Sequence, residues 1–431
     1  MRQERARLLK RLQERLPKAT REAVNTAVSL AEERGVALYL VGGGVRDLLL
    51  EKPQLDVDLV VEGGSDGLDA LGLATAVGAA LRARVVTHPR FGTAVVQGEE
   101  VRLDLAQARS ERYARPGALP LVRQAGLIED LGRRDFTINA MALRLGGPGA
   151  GELIDLHGGR DDLARRLVRV LHDASFQDDA TRMLRALRYA GRLEFRLEEE
   201  TESRLRRDLA YLESISGARL RHELERIACE ERAAEIVCLA SRLGVMEAVH
   251  PALGAGEQEL RGMARLSAVA PSHRNAVMFC LLLAGSTATE SQEAIARLAL
   301  TGRQAEAVRG LLILRSLEAK LARASLRPSE VVGLLSSQPL AAIEAFALVA
   351  GRPPPAERAR CYLEEWRFVR PRMNGRELEA IGVEHGPDVG EALASLRAAR
   401  LDGETRNRED EAALLGKLGL VKKQLAGASR G

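Results

Sequence analysis

Aromatic side chains make up only 3% of the 431 residues, so a surface that reads many single-stranded bases by stacking on rings is poorly supplied. Cysteine is also scarce. Cys229, Cys238, Cys280 and Cys361 form no Cys-x-x-Cys pair and have no histidine at zinc-ligand spacing, which argues against a zinc module and leaves four reduced core residues. No apolar run is long enough to cross a bilayer, and Met1 to Lys10 is charged where a signal peptide would be apolar. The expected location is the cytoplasm, with no membrane partner. Lysine is nearly missing: only seven of the 64 cationic residues are lysine, and the rest are arginine, whose planar fork suits bidentate phosphate contacts. A net charge of +4 and a pI near 9.0 permit a nucleic-acid partner without requiring one.

What is present describes a globular chain too long for one typical core, with 46% hydrophobic and 29% charged residues and a mean hydropathy of −0.13. Residues 1–35 read as a charged amphipathic helix or helix pair ending at Gly35. From Leu38 onward the character changes. Strands are expected at Leu38 to Val41, Val57 to Val61, Arg84 to Thr87, Thr93 to Gln97 and Val101 to Leu105, with helices after Gly44 and through Leu68 to Leu81. The Gly/Pro-rich stretch Gly146 to Gly151 ends this segment, and helical periodicity dominates beyond it, with a second weak boundary at Ala228 to Glu231. The expected fold class is α+β: an α/β head over 1–150, a helical unit over 151–228 and a further helical unit over 229–431.

Asp56-Val57-Asp58 leads into Leu59-Val60-Val61, and strand alternation points both acids to one side. Two carboxylates that close are costly unless a cation or proton lies between them, and an oxygen-rich site of this kind suits magnesium. Alone the pair is weak evidence, because many such pairs are solvated strand ends. Upstream, Leu40-Val41-Gly42-Gly43-Gly44-Val45-Arg46-Asp47 is a strand running through glycines into a helix. Its backbone N–H groups can cradle a triphosphate with Arg46 on its charge, or it is an ordinary glycine turn. Downstream, Asp104 stands between apolar neighbours in Val101 to Leu105, placed to add a third acid or to serve structure. Together these features supply the parts of a two-metal in-line displacement.

These residues carry a resemblance to the class II CCA-adding enzymes and bacterial poly(A) polymerases. Leu40 to Asp47 followed by Asp56-Val57-Asp58 is similar to the family's nucleotidyltransferase signature, and Arg133-Arg134-Asp135-Phe136-Thr137-Ile138-Asn139-Ala140 to its second motif. The likeness continues through Asp155 to Leu163 and Ser175 to Tyr189, and faintly through Asn374 to Gly403. It implies a polymerase-β-like head followed by helical neck, body and tail. It further implies that Gly43 and Arg46 contact nucleotide phosphates, that Asp56 and Asp58 bind metal, and that Arg134, Arg185 and Arg188 contact the nucleotide. The implied partners are ATP, CTP and the acceptor arm of tRNA, and the implied reaction is addition of C and/or A to the tRNA 3′ end.

Asp179 and Arg182, three apart on an expected helix, set a carboxylate beside a guanidinium. Cytosine and adenine both offer an amino donor next to a bare ring nitrogen, whereas uracil and guanine offer a carbonyl next to an N–H. An Asp–Arg pair therefore complements the first two and opposes the others, which is how the family's protein template works. Asp178 and Ala180 depart from the commoner glutamate and proline. Arg182, Arg185, Arg188 and Arg192 share one third of the helix circumference opposite Met183, Leu187 and Ala190. The stripe is either a phosphate face or a solvated one. The His172-Asp173 doublet lacks the further histidines of a phosphohydrolase. Arg109 to Gly126 is expected to be a loop, either a mobile element or a rigid connector. The competing functions are poly(A) synthesis and a non-catalytic RNA-binding protein, the latter disfavoured because Asp56, Asp58 and Asp104 are all present.

Overall fold

The structure, a computed structural model, describes residues 2–53, 56–63, 69–118, 120–350 and 353–420. Leu68 at the start of one expected helix, Leu119 in the expected loop and the end of the chain, 421–431, lie outside the described residues. The chain forms two compact units: residues 1–223 with 242–249, and residues 224–241 with 250–431. The segments expected as separate head and neck fall together in the first.

Two antiparallel-capable helices open the first unit, α1 (Arg2–Arg15) and α2 (Lys18–Glu33), separated at Pro17. Then come β1 (Ala37–Val41), α3 (Gly43–Leu49), β2 (Asp58–Glu62), α4 (Ala70–Leu81), β3 (Arg84–His88), β4 (Thr93–Gln97) and β5 (Arg102–Gln107). The hairpin β6 (Arg109–Arg112) and β7 (Leu121–Gln124), α5 (Leu127–Gly132), β8 (Met141–Arg144) and β9 (Leu153–Asp155) follow. Seven strands make one mixed sheet in the order β3-β4-β5-β2-β1-β8-β9, in which only β2 and β5 are parallel neighbours. Apolar residues line its inner face: Tyr39, Val41, Val60, Ala108 and Ala142 pack with Leu127 and Leu131 of α5. On the other side α2 and α4 cover β4 and β5.

After the sheet come α6 (Gly159–Arg165), β10 (Leu167–Val168), α7 (Ser175–Asp178), α8 (Thr181–Leu193), β11 (Arg196–Leu197), α9 (Glu199–Arg207) and α10 (Gly217–Ala228). The small parallel pair β10–β11 is absent from the sequence-based reading, because two-residue strands carry no periodicity. The second unit is helical throughout its described residues. Its last part has its own core, Met373, Leu378, Val383, Ala392, Leu396 and Leu415, and two of its helices start on capping boxes at Asn374 and Asn407.

Two expectations need correction here. Arg109 to Gly126 is not an irregular loop but the β6–β7 hairpin, with Arg109 opposite Gln124 and Arg112 opposite Leu121. Of the four cysteines, all free, only Cys280 is buried; Cys229 and Cys238 are exposed. Among the described residues no single helix is long and apolar enough to cross a membrane.

Candidate active site

Sheet register decides where the acids stand. Asp58 begins β2, and its partner across the parallel ladder is Asp104 on β5. Val57 is buried between Asp56 and Asp58, so alternation carries both acids to the exposed side. The glycine segment sets the depth of this edge. Gly42 has φ +65°, a conformation that favours glycine, and a methyl there would stand 2.8 Å from Arg134 Nη1. A methyl on Gly44 would stand 2.5 Å from the Asp56 carbonyl oxygen, so α3 can approach the acid-bearing segment only as glycine.

The carboxylates feel one another. Burial and then the charges of Asp104 and Asp56 raise the Asp58 pKa, while Arg134 and Arg102 oppose the rise. Asp104 accepts two hydrogen bonds from Arg102, at 2.9 and 3.3 Å. Two clefts share these acids. One of about 430 Å³ is lined by Asp58, Asp104, His88, Thr93, Arg133 and Arg134; the other, of about 570 Å³, by Asp56, Asp58, Asp104, Arg102, Pro17 and Thr20. Among the described residues no three His, Cys, Asp or Glu side chains already converge as a metal cage. The donor set nonetheless fits a hard divalent cation, since it is all carboxylate oxygen, and burial together with the repulsion of Asp104 and Asp56 already raises Asp58.

The segment Arg133 to Asn139 organises the cations. Arg133 and Arg134 both bind Asp130, one helical turn before them on α5, at 2.7 and 2.8 Å. Asp130 is fully buried, and although burial opposes ionisation, the two guanidinium groups hold its pKa below the usual carboxylate range. Asp135 accepts from the Phe136 N–H, from Asn139 Nδ2 at 3.0 Å and from Arg185 at 3.0 and 2.5 Å. Burial would raise it too, but Arg185 and Asn139 win and depress it. Thr137 Oγ1 donates to Asp162 at 2.7 Å. Asn139 Oδ1 accepts from Arg46 Nη1 at 2.7 Å, and Arg46 closes a fork on Asp47 with both bonds at 2.8 Å. Arg46 is thus 3% exposed and bonded on three nitrogens.

The expected base-reading pair is differently built from the helix assumed for it. Asp179 is extended (φ −145°, ψ 98°) between α7 and α8, not helical. Its Oδ1 accepts from the Thr181 N–H and hydroxyl, and its Oδ2 from Arg219 at 2.8 Å, because an aspartate before a helix satisfies the first orphan N–H groups. Arg182, in the first turn of α8, is buried and donates to Ser175 Oγ at 2.7 Å and to the Arg133 carbonyl at 2.8 Å. The arginine stripe is not a solvated face either: Arg182 and Arg188 are buried, Arg185 is half-buried, and only Arg192 is exposed. Glu223 pairs with Arg185 at 3.7 Å and Arg188 at 3.6 Å.

Sequence reasoning did not single out Asp47, Asp130, Asp135, Asn139, Ser175, Arg219 or Glu223. Asp130 was open to detection, since it lies three and four residues before Arg133 and Arg134. Asn139 with Arg46 and Asp135 with Arg185, separated by 93 and 50 positions, were not.

Residues 38–169 match the poly A polymerase head domain, and residues 194–255 match the probable RNA and SrmB-binding site of polymerase A. The A-adding tRNA nucleotidyltransferase of Geobacter sulfurreducens is 31% identical over 92% of this chain and 47% of its own length. The CC-adding tRNA nucleotidyltransferase of Deinococcus radiodurans is 34% identical over 87% of both chains. The chain spans less than half the length of several A-adding relatives, 28% of the one from Aquifex aeolicus. Among solved structures, a CCA-adding enzyme in an apo form superposes with a TM-score of 0.81 and 30% identity over 95% of this chain and 98% of that one. The Thermotoga maritima CCA-adding enzyme complexed with tRNA superposes with a TM-score of 0.75 at 30% identity over the same shares, 95% and 98%. With a relative 34% identical over 87% of both chains and a solved structure 30% identical over 98% of its own length, the protein belongs to the tRNA nucleotidyltransferase and poly(A) polymerase family.

Proposed function

We propose that this protein is a template-independent nucleotidyltransferase that adds C and/or A to the 3′ end of tRNA, holding the acceptor arm and using ATP and CTP. The observation that carries the reading is the pairing of Asp58 with Asp104 in register, beside Asp56, on an edge shared by two clefts. A reaction joining two substrates needs such an edge. The cleft lined by Arg133 and Arg134 suits the triphosphate, and the cleft lined by Asp56 and Arg102 suits the RNA 3′ end. Relatives of the same length and more support tRNA as the RNA.

Nucleotidyltransferases of this family generally use a divalent metal ion. Magnesium is the proposed ion, with Asp56 and Asp58 as its ligands and Asp104 beside them. When bound it supplies Lewis-acid activation of the 3′ hydroxyl and charge neutralisation at the leaving pyrophosphate. The chain's own groups do the rest. Arg134, fixed by Asp130, meets the nucleotide at the cleft wall; Gly43 leaves room above Arg46; Arg185 and Arg188 extend the cationic field from α8. Asp179 and Arg182 read the base edge. Each spends part of its hydrogen-bonding capacity on Thr181, Arg219, Ser175 and the Arg133 carbonyl, so both enter the reaction already oriented. The expected place of action is the cytoplasm, where tRNA and nucleotides are met.

The test is incorporation by purified protein with magnesium on tRNA ending at the discriminator base, after C, or after CC, with each nucleotide separately and CTP with ATP together. Addition of CCA, CC or A supports the reading and names the subtype. Long A tails would move the assignment to poly(A) synthesis, and no incorporation would overturn it. Arg182→Ala in the same assay is expected to lose about 10- to 100-fold discrimination against UTP, the scale of one buried charged hydrogen bond, with RNA binding nearly unchanged.

A further inference from the structure

The cleft of about 570 Å³ that takes Asp56, Asp58 and Asp104 has further lining residues with no role so far: Pro17 and Thr20 from the corner between α1 and α2, Pro53 from the segment after α3, and Arg102 from β5. The corner is fastened in place. Arg15 Nη1 donates to the Lys52 carbonyl at 2.6 Å and Arg11 pairs with Glu51 at 2.9 Å, so α1 is tied to the chain just before Pro53. Gln13 Nε2 donates to Asn25 Oδ1 at 2.9 Å and Arg21 to the Gln13 carbonyl at 3.1 Å, which ties the two helices together. Beyond the corner, Ala23, Val24, Ala27 and Ala31 of α2 are buried, and α2 packs on α4. Thr20 therefore meets the cleft from a rigid element rather than from a loose end.

The chemistry of the lining separates its tasks. The three acids serve the metal ion and the 3′ oxygen. Arg102 spends Nε and Nη2 on Asp104, and among the described residues its Nη1 has no partner. It stands two residues before Asp104 on the same strand, hence on the same face and about 6.6 Å along it, a step comparable to one nucleotide of backbone. A guanidinium edge there suits a phosphate. Thr20 is the one neutral hydrogen-bonding side chain among the described lining residues; it is half-buried, and its hydroxyl has no partner among the described residues. Once the 3′ oxygen of an RNA end stands at the acids, the 2′ hydroxyl on the adjacent ring carbon lies in the same cleft, and a hydroxyl, which both donates and accepts, matches it. Pro17 and Pro53 offer apolar surface to the sugar. We propose that Thr20 contacts the 2′ hydroxyl of the terminal ribose while Arg102 Nη1 takes the phosphate on its 5′ side, so that the cleft selects an RNA end over a DNA end. The 2′ hydroxyl is the group that distinguishes the two at a given position. This inference rests on the reading of that cleft as the RNA 3′-end site, and it leaves base choice to Asp179 and Arg182.

The experiment is a cycle of two enzymes and two primers: wild type and Thr20→Val, each with tRNA whose last nucleotide carries a ribose or a 2′-deoxyribose, at saturating CTP or ATP. Valine keeps the shape and removes the hydroxyl. The wild-type kcat/KM for RNA is expected to fall about tenfold on the deoxy end, the scale of one hydrogen bond, and Thr20→Val to lose about tenfold on the ribose end and nothing further on the deoxy end. Thr20→Ser, which keeps the hydroxyl, should stay within about threefold of the wild type on the ribose end, and no variant should change the nucleotide KM or the melting temperature. Equal losses by Thr20→Val on both primers, or no loss on either, overturn the contact. Arg102→Gln should raise the RNA KM on both primers by about three- to tenfold and flatten its salt dependence; an unchanged RNA KM and salt dependence overturn the phosphate contact. A wild type that incorporates nothing overturns the functional reading itself, whereas one that extends both primers equally well overturns only the role of Thr20.

Discussion

The three carboxylates on the sheet edge, Asp56, Asp58 and Asp104, and the guanidinium groups of Arg46, Arg185 and Arg188, 5.0–5.8 Å from the centre of the Tyr189 ring, carry equal and opposite charge, yet the protein treats them differently. Each arginine is matched by its own acid, and Asp135 is held ionised by that match. On the acid edge the groups press on one another: Asp58 is raised by burial and then by Asp104 and Asp56, and the ion pair on Asp104 comes from Arg102, a largely exposed side chain. Both sets lie in the same unit. The difference lies in who supplies the counter-charge. A cluster neutralised by its own chain holds its shape with nothing bound. A cluster left repelling itself stores its compensation outside the protein, in whatever cation arrives with the substrate.

The sharpest way to break that comparison is to neutralise one acid on the edge. Asp58→Asn should reduce incorporation by about 1,000-fold or more, since several kcal/mol of transition-state charge stabilisation go with the metal site. Because Asp58 is held in a repulsive setting, the same substitution should leave the melting temperature unchanged or raise it. A fall in stability together with retained incorporation would reverse the roles assigned to the two regions. Asp135→Asn is the mirror experiment. It leaves the half-buried Arg185 with only the longer contact to Glu223 at 3.7 Å, and a loss of about 2–3 kcal/mol of stability is expected at neutral pH. Its pH dependence has a definite sign. The folded Asp135 pKa lies below the ordinary value, so its contribution is complete above about pH 4 and is lost as the pH falls through the depressed value. The gap between wild type and Asp135→Asn, followed by denaturant melts, should therefore close in acid; a gap that persists at low pH would mean the aspartate acts by shape rather than charge.

How much of this was open to the sequence depends on how far apart the partners lie. The strand bearing Asp104 is legible because it alternates, and that bearing Asp58 because Leu59-Val60-Val61 is a short apolar run rich in β-branched valine, and once both are strands register sets their acids side by side. The change of character near residue 150 is legible for the same reason, as a change of period. Asp179 shows where local reasoning fails with the information present. Three residues from Arg182 reads as a helix spacing, but an aspartate followed by Ala-Thr is better used as a cap, and its oxygens hold the Thr181 N–H from an extended backbone. The arginine stripe fails differently. Helical phase gives the face of Arg182, Arg185 and Arg188 correctly, but whether water or acid covers that face is decided by Asp135 and Glu223, brought in from other elements. The β6–β7 hairpin was hidden by its Pro116-Gly117 tip and by a polar composition that does not alternate.

The smallest expected effect bears on the part of the comparison that is least evenly balanced, the contact of Arg102 with Asp104. Both side chains are well exposed, at 65% and 40%, so the pair contributes little to the fold. Its chemical consequence is larger than its energy, because it occupies both oxygens of the acid standing next to Asp58. A divalent ion that uses Asp104 must compete with the guanidinium; one that uses only Asp56 and Asp58 need not. Arg102→Gln should therefore leave the melting temperature unchanged and tighten manganese binding, followed by its paramagnetic resonance signal in the absence of nucleotide, by about two- to fivefold, the scale of removing one screened surface charge. The double variant Arg102→Gln with Asp104→Asn separates the two cases. If Asp104 is a ligand, the gain disappears in the double variant; if the gain survives, Arg102 acts only through the field it casts on Asp56 and Asp58, and Asp104 is a structural neighbour of the metal site rather than part of it.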